Sequence, residues 1–239
     1  MSIASEITRL QGVKADILTA IGNKGVTVPA GSALDDCPDL IASIGYDVIG
    51  GKKYKTVQMP DGKVWLAENL DFKFCNIGGS GEPTTPNAWY YNNDESTYGW
   101  NGYRCGLLYN WYAVKVLNDN RSELCPGWHV PTATEWDALA TACGGASVAG
   151  TKLKALDNVT GANWPSGWSG TNDYGFSVVP GGYYSGNFNG IDANSVFWNI
   201  TENDASRACG CDFTTGASVS MFNDSGKTNA HSLRLVRDT

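Results

Sequence analysis

Two histidines and seven cysteines are the residues of this chain best suited to acid–base, nucleophilic or metal chemistry. His129 stands in Gly127-Trp128-His129-Val130-Pro131, a setting that suits a buried structural imidazole. His231 stands at the rim of the last strand, just before Ser232-Leu233-Arg234-Leu235-Val236-Arg237. Neither has a Ser or Cys partner with a third orienting group at a recognisable spacing, so a catalytic triad is not supported. The cysteines are odd in number, and only Cys209-Gly210-Cys211 has a spacing that resembles metal ligation. Cys75 with Cys105, and Cys125 with Cys143, could pair once the chain leaves a reducing compartment. A hard cation such as calcium needs clustered carboxylate and amide oxygens. Trp198-Asn199 followed by Glu202, Asn203 and Asp204 offers a faint version of that set, but Thr201-Glu202 more simply caps and orders a loop. No catalytic residue and no metal ligand is therefore assigned.

The elements that must carry these residues follow from composition and pattern. The chain has 239 residues, 17% charged, with 29 Gly, 9 Trp and 11 Tyr. That length holds one large domain or one domain plus a small appendage. Glycines supply turns with φ > 0 and aromatics fill half-buried sheets, so a compact, loop-rich β protein is expected. A net charge of −7 argues against a nucleic-acid partner and against an anionic membrane surface. No segment is apolar over the length a bilayer demands, so membrane insertion is not expected. Met1-Ser2-Ile3-Ala4-Ser5-Glu6 lacks the basic and apolar regions of a secretory signal, which places synthesis in a cytoplasm unless an assembly carries the protein out.

Residues 1–45 differ from the rest. Ile3, Ile7, Leu10, Lys14, Ile17 and Ile21 recur at coiled-coil spacing, and Ile at both seam positions leans towards a trimer. The equal alternative is an amphipathic helix that folds onto Leu34 to Ile44 through Val26-Thr27-Val28-Pro29. Residues 46–52 read as a linker. Residues 53–239 then read as short strands. Tyr54 to Met59 and Lys63 to Ala67 flank Pro60-Asp61-Gly62, a turn in which Pro sets φ and Gly accepts φ > 0, so a hairpin is predicted. Phe72 to Gly102 reads as a long ordered loop, and Leu107 to Val116 fits strand or helix. Thr132 followed by Glu135 is a capping box that starts a short helix. Phe176 to Tyr184 reads as a strand broken by a turn, with Val196-Phe197-Trp198 and Ser232 to Arg237 as further strands.

From Ala205 to Gly226 the residue choice follows no packing or catalytic logic. Alternation in Ser218-Val219-Ser220-Met221-Phe222 turns Val219 and Met221 inward and Ser218, Ser220 and Phe222 outward. An outward Phe among Ser, Asn and Asp suits recognition of a partner, with one apolar anchor and adaptable polar neighbours. A solvated loop with an accidental Phe is the bland alternative.

Several motifs occur in a fixed order: Gly62-Lys63-Val64-Trp65-Leu66-Ala67-Glu68-Asn69-Leu70, Cys125-Pro126-Gly127-Trp128-His129-Val130-Pro131 with Glu135-Trp136, Gly150-Thr151-Lys152-Leu153-Lys154, Thr171 to Ser177, Pro180-Gly181-Gly182-Tyr183, Phe197-Trp198 with Thr201-Glu202, and Leu233 to Asp238. Over residues 53–238 this resembles the Fibrobacter succinogenes major paralogous domain. The resemblance implies an α+β, C-type-lectin-like domain of short twisted antiparallel strands, few short helices and long ordered loops, preceded here by a small helical N-terminal segment. It also implies a ligand-displaying scaffold more than any particular ligand.

Members of this family serve as variable proteins of diversity-generating retroelements, in which adenine-directed mutagenesis rewrites C-terminal codons but never yields Lys, Glu, Gln, Trp or Met. Between Asn203 and Gly226 the one residue from that excluded set is Met221. A loop rich in small residues would show the same depletion. The stretch Gly25 to Gly31 with Asp35 to Ile41 resembles a segment of phage tail and fibre proteins.

The expectation is therefore a non-enzymatic phage receptor-binding protein, assembled in a bacterial cytoplasm and carried on the virion. Residues 1–45 would contact tail components, and the partner would be a cell-surface protein or glycan of a host bacterium. The variable surface, about 199–226, would present Asn199, Ile200, Ser206, Arg207, Cys209, Cys211, Asp212, Thr214, Thr215, Gly216, Ser218, Ser220, Phe222, Asn223, Asp224 and Ser225. The alternatives are a calcium-dependent carbohydrate-binding lectin and an oxidase of the formylglycine-generating type. The first lacks the Glu-Pro-Asn type loop, with Glu82-Pro83-Thr84 as the nearest string. The second needs reactive cysteines, and here Cys209 and Cys211 fall in the variable run.

Overall fold

The structure is a computed structural model that describes residues 3–22, 31, 33, 45–79, 84–99, 101–156, 164–168 and 170–238. A helix spans Ile3–Gly22. Along it Ile7 and Leu10 of the expected seam are 51% and 45% exposed. The second half of the expected segment, Leu34 to Ile44, lies outside the described residues, as do Glu82 and Pro83. No described helix is long and apolar enough to cross a membrane.

The body is α+β, mainly sheet with few short helices. Its strands are β1 Tyr46–Ile49, β2 Lys52–Gln58, β3 Val64–Leu66, β4 Asn76–Ile77, β5 Asn87–Trp89, β6 Leu108–Asn110, β7 Trp128–His129, β8 Gly181–Tyr184, β9 Phe188–Ile191, β10 Ser195–Glu202, β11 Arg207–Phe213, β12 Val219–Gly226, β13 Ala230–His231 and β14 Val236–Arg237. One sheet runs β1-β2-β3-β14-β7. A nine-stranded sheet runs β12-β11-β10-β8-β13-β6-β5-β4, with β9 paired to β8. The C-terminal segment ties them together, because β13 belongs to the second sheet and β14 to the first. Between the two, the carbonyls of Leu233 and Leu235 accept from the N–H groups of Leu70 and Leu66, both at 2.9 Å.

The hairpin at Pro60-Asp61-Gly62 forms as expected. Gly62 takes φ +83 and donates to Met59 O at 2.9 Å, and β2 pairs antiparallel with β3. The capping box also forms: Glu135 N–H donates to Thr132 Oγ1 and Thr132 N–H to Glu135 Oε2, starting the helix Ala133–Ala142. Trp136 of that helix packs on Trp65, with ring centroids 4.9 Å apart, and on Phe176 and Phe197, in a core that also holds Phe213 and Val219.

Three expectations change. Residues 46–49, read as linker, form β1, because Gly50 (φ +56) and Gly51 (φ +78) make a two-residue turn that pairs Ile49 with Lys52. The Asp47 carboxylate then accepts from Trp128 Nε1 at 2.8 Å and Arg237 Nη2 at 3.1 Å, which fixes the strand to the body. Phe72 to Gly102 is not one loop but carries β4, β5, a 3-10 turn at Tyr91–Asn93 and a helical turn at Glu95–Tyr98. In the stretch Phe176 to Tyr184 only Gly181–Tyr184 is strand, since Arg234 binds the carbonyls of Phe176 and Ser177 and takes them out of any ladder. Cys75, Cys105, Cys125 and Cys143 are free thiols in this structure.

Leu107 to Val116 is both strand and helix, split at Asn110. The Asn110 side chain accepts from Ala113 N–H and caps the helix Trp111–Asp119. Of Ser232 to Arg237, read as one strand, only Val236–Arg237 is strand, and Leu233 to Val236 shows no alternation of buried and exposed residues. All four residues are fully buried, because this segment is sandwiched where the two sheets meet.

Candidate functional site: the C-terminal hairpin and its cavity

Residues 199–226 build the end of the nine-stranded sheet. β10 pairs antiparallel with β11, and β11 with β12, which is the edge strand. The register sets Trp198 opposite Gly210 and Gly210 opposite Phe222. A Cβ at Gly210 would lie 2.4 Å from Phe197 O and 2.4 Å from Phe222 Cζ, so a bare backbone there lets the Phe222 ring lie across the central strand.

Two buried lysines hold the two ends of this unit. Lys154, 2% exposed, donates to the carbonyls of Trp168, Thr214 and Gly216 at 2.8, 3.2 and 2.9 Å. It thereby fixes the β11–β12 turn to the body, and its pKa is lowered by burial. Lys227, 4% exposed, pairs with the Glu202 carboxylate, donates to Ala205 O at 3.1 Å and lies over the Trp111 ring. It fixes the β10–β11 turn. Inside that turn Asp204 Oδ1 accepts from the N–H groups of Ser206 and Arg207, and these bonds hold its carboxyl below the usual range.

Among the residues expected to face outward, Ser206, Arg207, Ser218, Ser220, Asn223 and Asp224 are exposed. Ile200, Asp212, Thr214, Thr215, Gly216, Phe222 and Ser225 are half-buried. Asn199, Cys209 and Cys211 are buried, which corrects their assignment to the surface. Cys211 is packed in the Phe197–Phe213 core and burial pushes its thiol well up. Asn199 spends its Oδ1 on Thr201 N–H at 2.9 Å. These positions point inward because β11 and β10 are central strands covered on one face by the helix Ala133–Ala142. Val219 is inward as expected, Ser220 outward, and Met221 and Phe222 are both intermediate.

Only part of the expected surface converges. Asp212, Phe222, Asp224 and Ser225 line a cavity of about 260 Å³ together with Tyr183, Asn194, Asn229 and His231. Thr214, Thr215, Gly216 and Ser218 lie in the β11–β12 turn, beyond the Asp212–Ser220 and Phe213–Val219 pairs, and do not join it. Tyr183, Asn194 and Asn229 come from other elements, and no local pattern marks them as neighbours of the hairpin.

His231 overturns two expectations. It is buried in β13, 3% exposed, not at a rim, because β6 and β8 flank it. It also has a serine partner: Ser225 Oγ lies 2.8 Å from His231 Nε2 and accepts from Asn229 Nδ2 at 3.2 Å. The pair could be a nucleophile and its base. Burial, however, pushes the imidazole down to about 3, so it stays neutral and is a weak proton acceptor at neutral pH. Its Nδ1 has no side-chain partner to orient it. The arrangement therefore acts as a fixed, neutral hydrogen-bonding wall, with Trp198 packed 4.2 Å from the ring.

Asp212 gives the cavity its charge. Burial raises its pKa, the Asn194 side chain opposes that shift, and its Oδ1 is buried without a partner. Asp224 stands at the rim, where Arg207 Nη1 donates to its carbonyl at 2.7 Å and lies 3.7 Å from its carboxylate. Carboxylate, amide, hydroxyl and two aromatic rings thus surround one small concavity, a set that suits a donor-rich or cationic polar group.

His129 is half-buried and not part of this cavity. It bridges Glu135 and Asp238, with Nε2 3.0 Å from Glu135 Oε1 and Nδ1 2.6 Å from Asp238 Oδ1. Among the described residues no group of three or more His, Cys, Asp or Glu is placed to hold a metal.

No curated protein and no solved structure matches the chain. A sequence model of the Fibrobacter succinogenes major domain matches residues 61–237. That stretch begins in the β2–β3 hairpin, includes the capping box and Arg234, and ends at β14, so the match spans both sheets and the chain belongs to the Fibrobacter succinogenes major domain family.

Proposed function

We propose that this chain is a non-enzymatic ligand-binding protein, and that its C-type-lectin-like domain presents a diversified C-terminal surface to a receptor. The observation that carries the reading is the division of labour in residues 199–226. Buried lysines and aromatics hold the frame, while Ser206, Arg207, Ser220, Asn223 and Asp224 stand exposed on an edge hairpin beside a polar cavity. Such a surface changes its side chains without changing its fold. In this reading the protein sits on a phage tail as the variable protein of a diversity-generating retroelement. Residues 1–45 attach it there, and its receptor is a protein or glycan of a host bacterium. Repeated copies on one particle would raise avidity.

The calcium-lectin and oxidase readings draw less support. Of the oxygen donors expected for calcium, Glu202 is spent on Lys227, Asp204 on its own turn and Asn199 on Thr201. Cys209 and Cys211, the thiols an oxidase would use, are buried with raised pKa values.

Sequencing sibling isolates tests the proposal. Substitutions should concentrate at the exposed positions between 203 and 226, beside a reverse transcriptase gene and a near-copy of this segment. An even spread along the chain would overturn it.

A further inference from the structure

A second cavity, of about 360 Å³, shares no residue with the one at the hairpin. Its wall includes Lys55 at the end of the β2–β3 hairpin, Glu68 and Asn69 just after it, Arg104, Ser177 and Arg234. Arg234 is 0% exposed. Its Nε donates to Asn69 Oδ1 at 2.8 Å, its Nη1 to Leu66 O and Phe176 O at 2.9 and 2.7 Å, and its Nη2 to Ser177 O at 3.0 Å. Every one of these acceptors is neutral. The guanidinium also lies over the Phe176 ring, 4.8 Å from its centroid.

A fully buried cation is costly, and here burial pushes the guanidinium down to about 9, an effect that the Glu68 charge only partly opposes. The cavity supplies little relief. Its carboxylate, Glu68, accepts from Arg104 Nη1 at 2.9 Å and from Lys55 N–H at 2.8 Å. Lys55 forms no ion pair among the described residues. Three cations and one carboxylate thus face one concavity, in a chain whose net charge is −7.

We propose that this cavity binds an oxyanion, and specifically the tetrahedral phosphate or sulfate group of a small ligand. The choice against a carboxylate follows from the donors. Four of the five guanidinium N–H groups are already used, so Arg234 cannot offer the two-pronged fork that a carboxylate matches. What reaches the cavity is the Lys55 ammonium and the Arg104 guanidinium, which arrive from separate elements beside the fully buried Arg234. Single donors from separate directions suit separate oxygens of a tetrahedral group. The volume is near the lower end of ligand cavities, which fits a phosphorylated or sulfated monosaccharide more than a polymer. Ser177, whose carbonyl accepts from Arg234 Nη2, is itself held in place, since its φ is +57 and Asn172 binds both its N–H and its hydroxyl at 2.9 Å.

The decisive experiment is a titration of the full chain with sulfate, inorganic phosphate, glucose 6-phosphate and acetate at matched ionic strength, read by calorimetry and by melting temperature. The first three should bind saturably with Kd on the order of 1 mM, and acetate about tenfold more weakly or not at all. Tighter binding of glucose 6-phosphate than of inorganic phosphate would assign a sugar-borne ester, and equal binding the bare oxyanion. Lys55→Glu, on an exposed strand position, should weaken phosphate by about tenfold or more while leaving the melting temperature in chloride unchanged. Arg104→Gln serves as the second variant and should act in the same direction. No saturable binding up to about 100 mM would overturn the proposal. So would unchanged affinity in both variants, or acetate binding as tightly as phosphate. Exchanging Asn223 and Asp224 should not alter these affinities, so the outcome is independent of what the hairpin binds.

Discussion

The Lys154 ammonium lies 2.9 Å from the carbonyl oxygen of Gly216, 62 residues further along the chain. With Thr214 O and Trp168 O it completes a three-carbonyl cage in which the lysine holds a turn and not a carboxylate. Lys227 does the matching work at the other turn, through Glu202 and Ala205. The frame of the hairpin thus rests on two side chains that lie outside the exposed run they hold.

Lys154→Met keeps the stem and removes the charge, leaving three carbonyls without their donor. A loss of about 2–4 kcal/mol is expected in urea unfolding. In hydrogen exchange the amides of residues 214–219 should lose protection while those of the β2–β3 hairpin keep theirs. Equal loss in both places would show that the cage stabilises the whole domain and not the turn.

Substitution tolerance should follow the burial pattern within one strand. Ser220→Arg and Asn223→Arg, both exposed, should shift stability by less than about 0.5 kcal/mol. Cys211→Arg buries a cation against Phe197 and Phe213, and should cost more than about 4 kcal/mol or prevent folding. Thermal denaturation of the three variants decides it.

His129 predicts a pH dependence. Hydrogen bonding to Glu135, opposed by burial and aided by Asp238, raises its folded pKa above the unfolded value of about 6.5. The stabilisation is therefore full below about pH 6.5 and is lost as pH rises through the folded pKa. On the acid side, burial raises Glu135, but hydrogen bonds from His129 and Thr132 outweigh it and hold the carboxyl at about 2. That contribution is present above about pH 4.5 and is lost as pH falls towards 2. The urea midpoint of the parent should fall across the alkaline limb, and that of His129→Gln should stay flat there.

Thiol chemistry should be slow in the folded protein. Burial pushes Cys75, Cys105 and Cys125 up to about 12 and Cys143 up to about 11. Labelling of the buried Cys105, Cys125 and Cys143 with a thiol reagent should require unfolding, and dithiothreitol should leave the melting temperature unchanged. A drop under reducing conditions would reveal a disulfide.

The N-terminal helix leaves Ile7 and Leu10 exposed, as a coiled-coil seam would. Light scattering of the full chain should give a trimer mass, and removal of residues 1–45 should give a monomer with the same melting temperature for the body. A monomeric full chain would favour the helix that folds back on its own segment.

Much of the frame is legible locally. Pro60-Asp61-Gly62, the Thr132–Glu135 box and the ordered motifs depend on residues within a few positions of one another, where φ preferences and capping act directly. The Gly50-Gly51 turn is equally local, yet two glycines serve as linker or as turn until a partner strand is known. The run 205–226 can be bounded from sequence, since its edges at Glu202 and Lys227 carry recognisable framework types. Which of its residues reach solvent is a different matter. Alternation predicts a face only when one side of a strand is wet, and β10 and β11 are covered by a helix, so Asn199 and Cys211 turn inward. The buried Arg234 joins residues where the two sheets meet, the two lysines tie turns of the nine-stranded sheet to distant positions, and the Ser225–His231 contact depends on how β12 and β13 lie within that sheet. Composition and short-range pattern determined what kind of domain this is and where its variable-looking stretch lies. Only the tertiary structure decided which charges are buried, what they hold and which cavities they face, because those outcomes depend on contacts between segments that no spacing along the chain encodes.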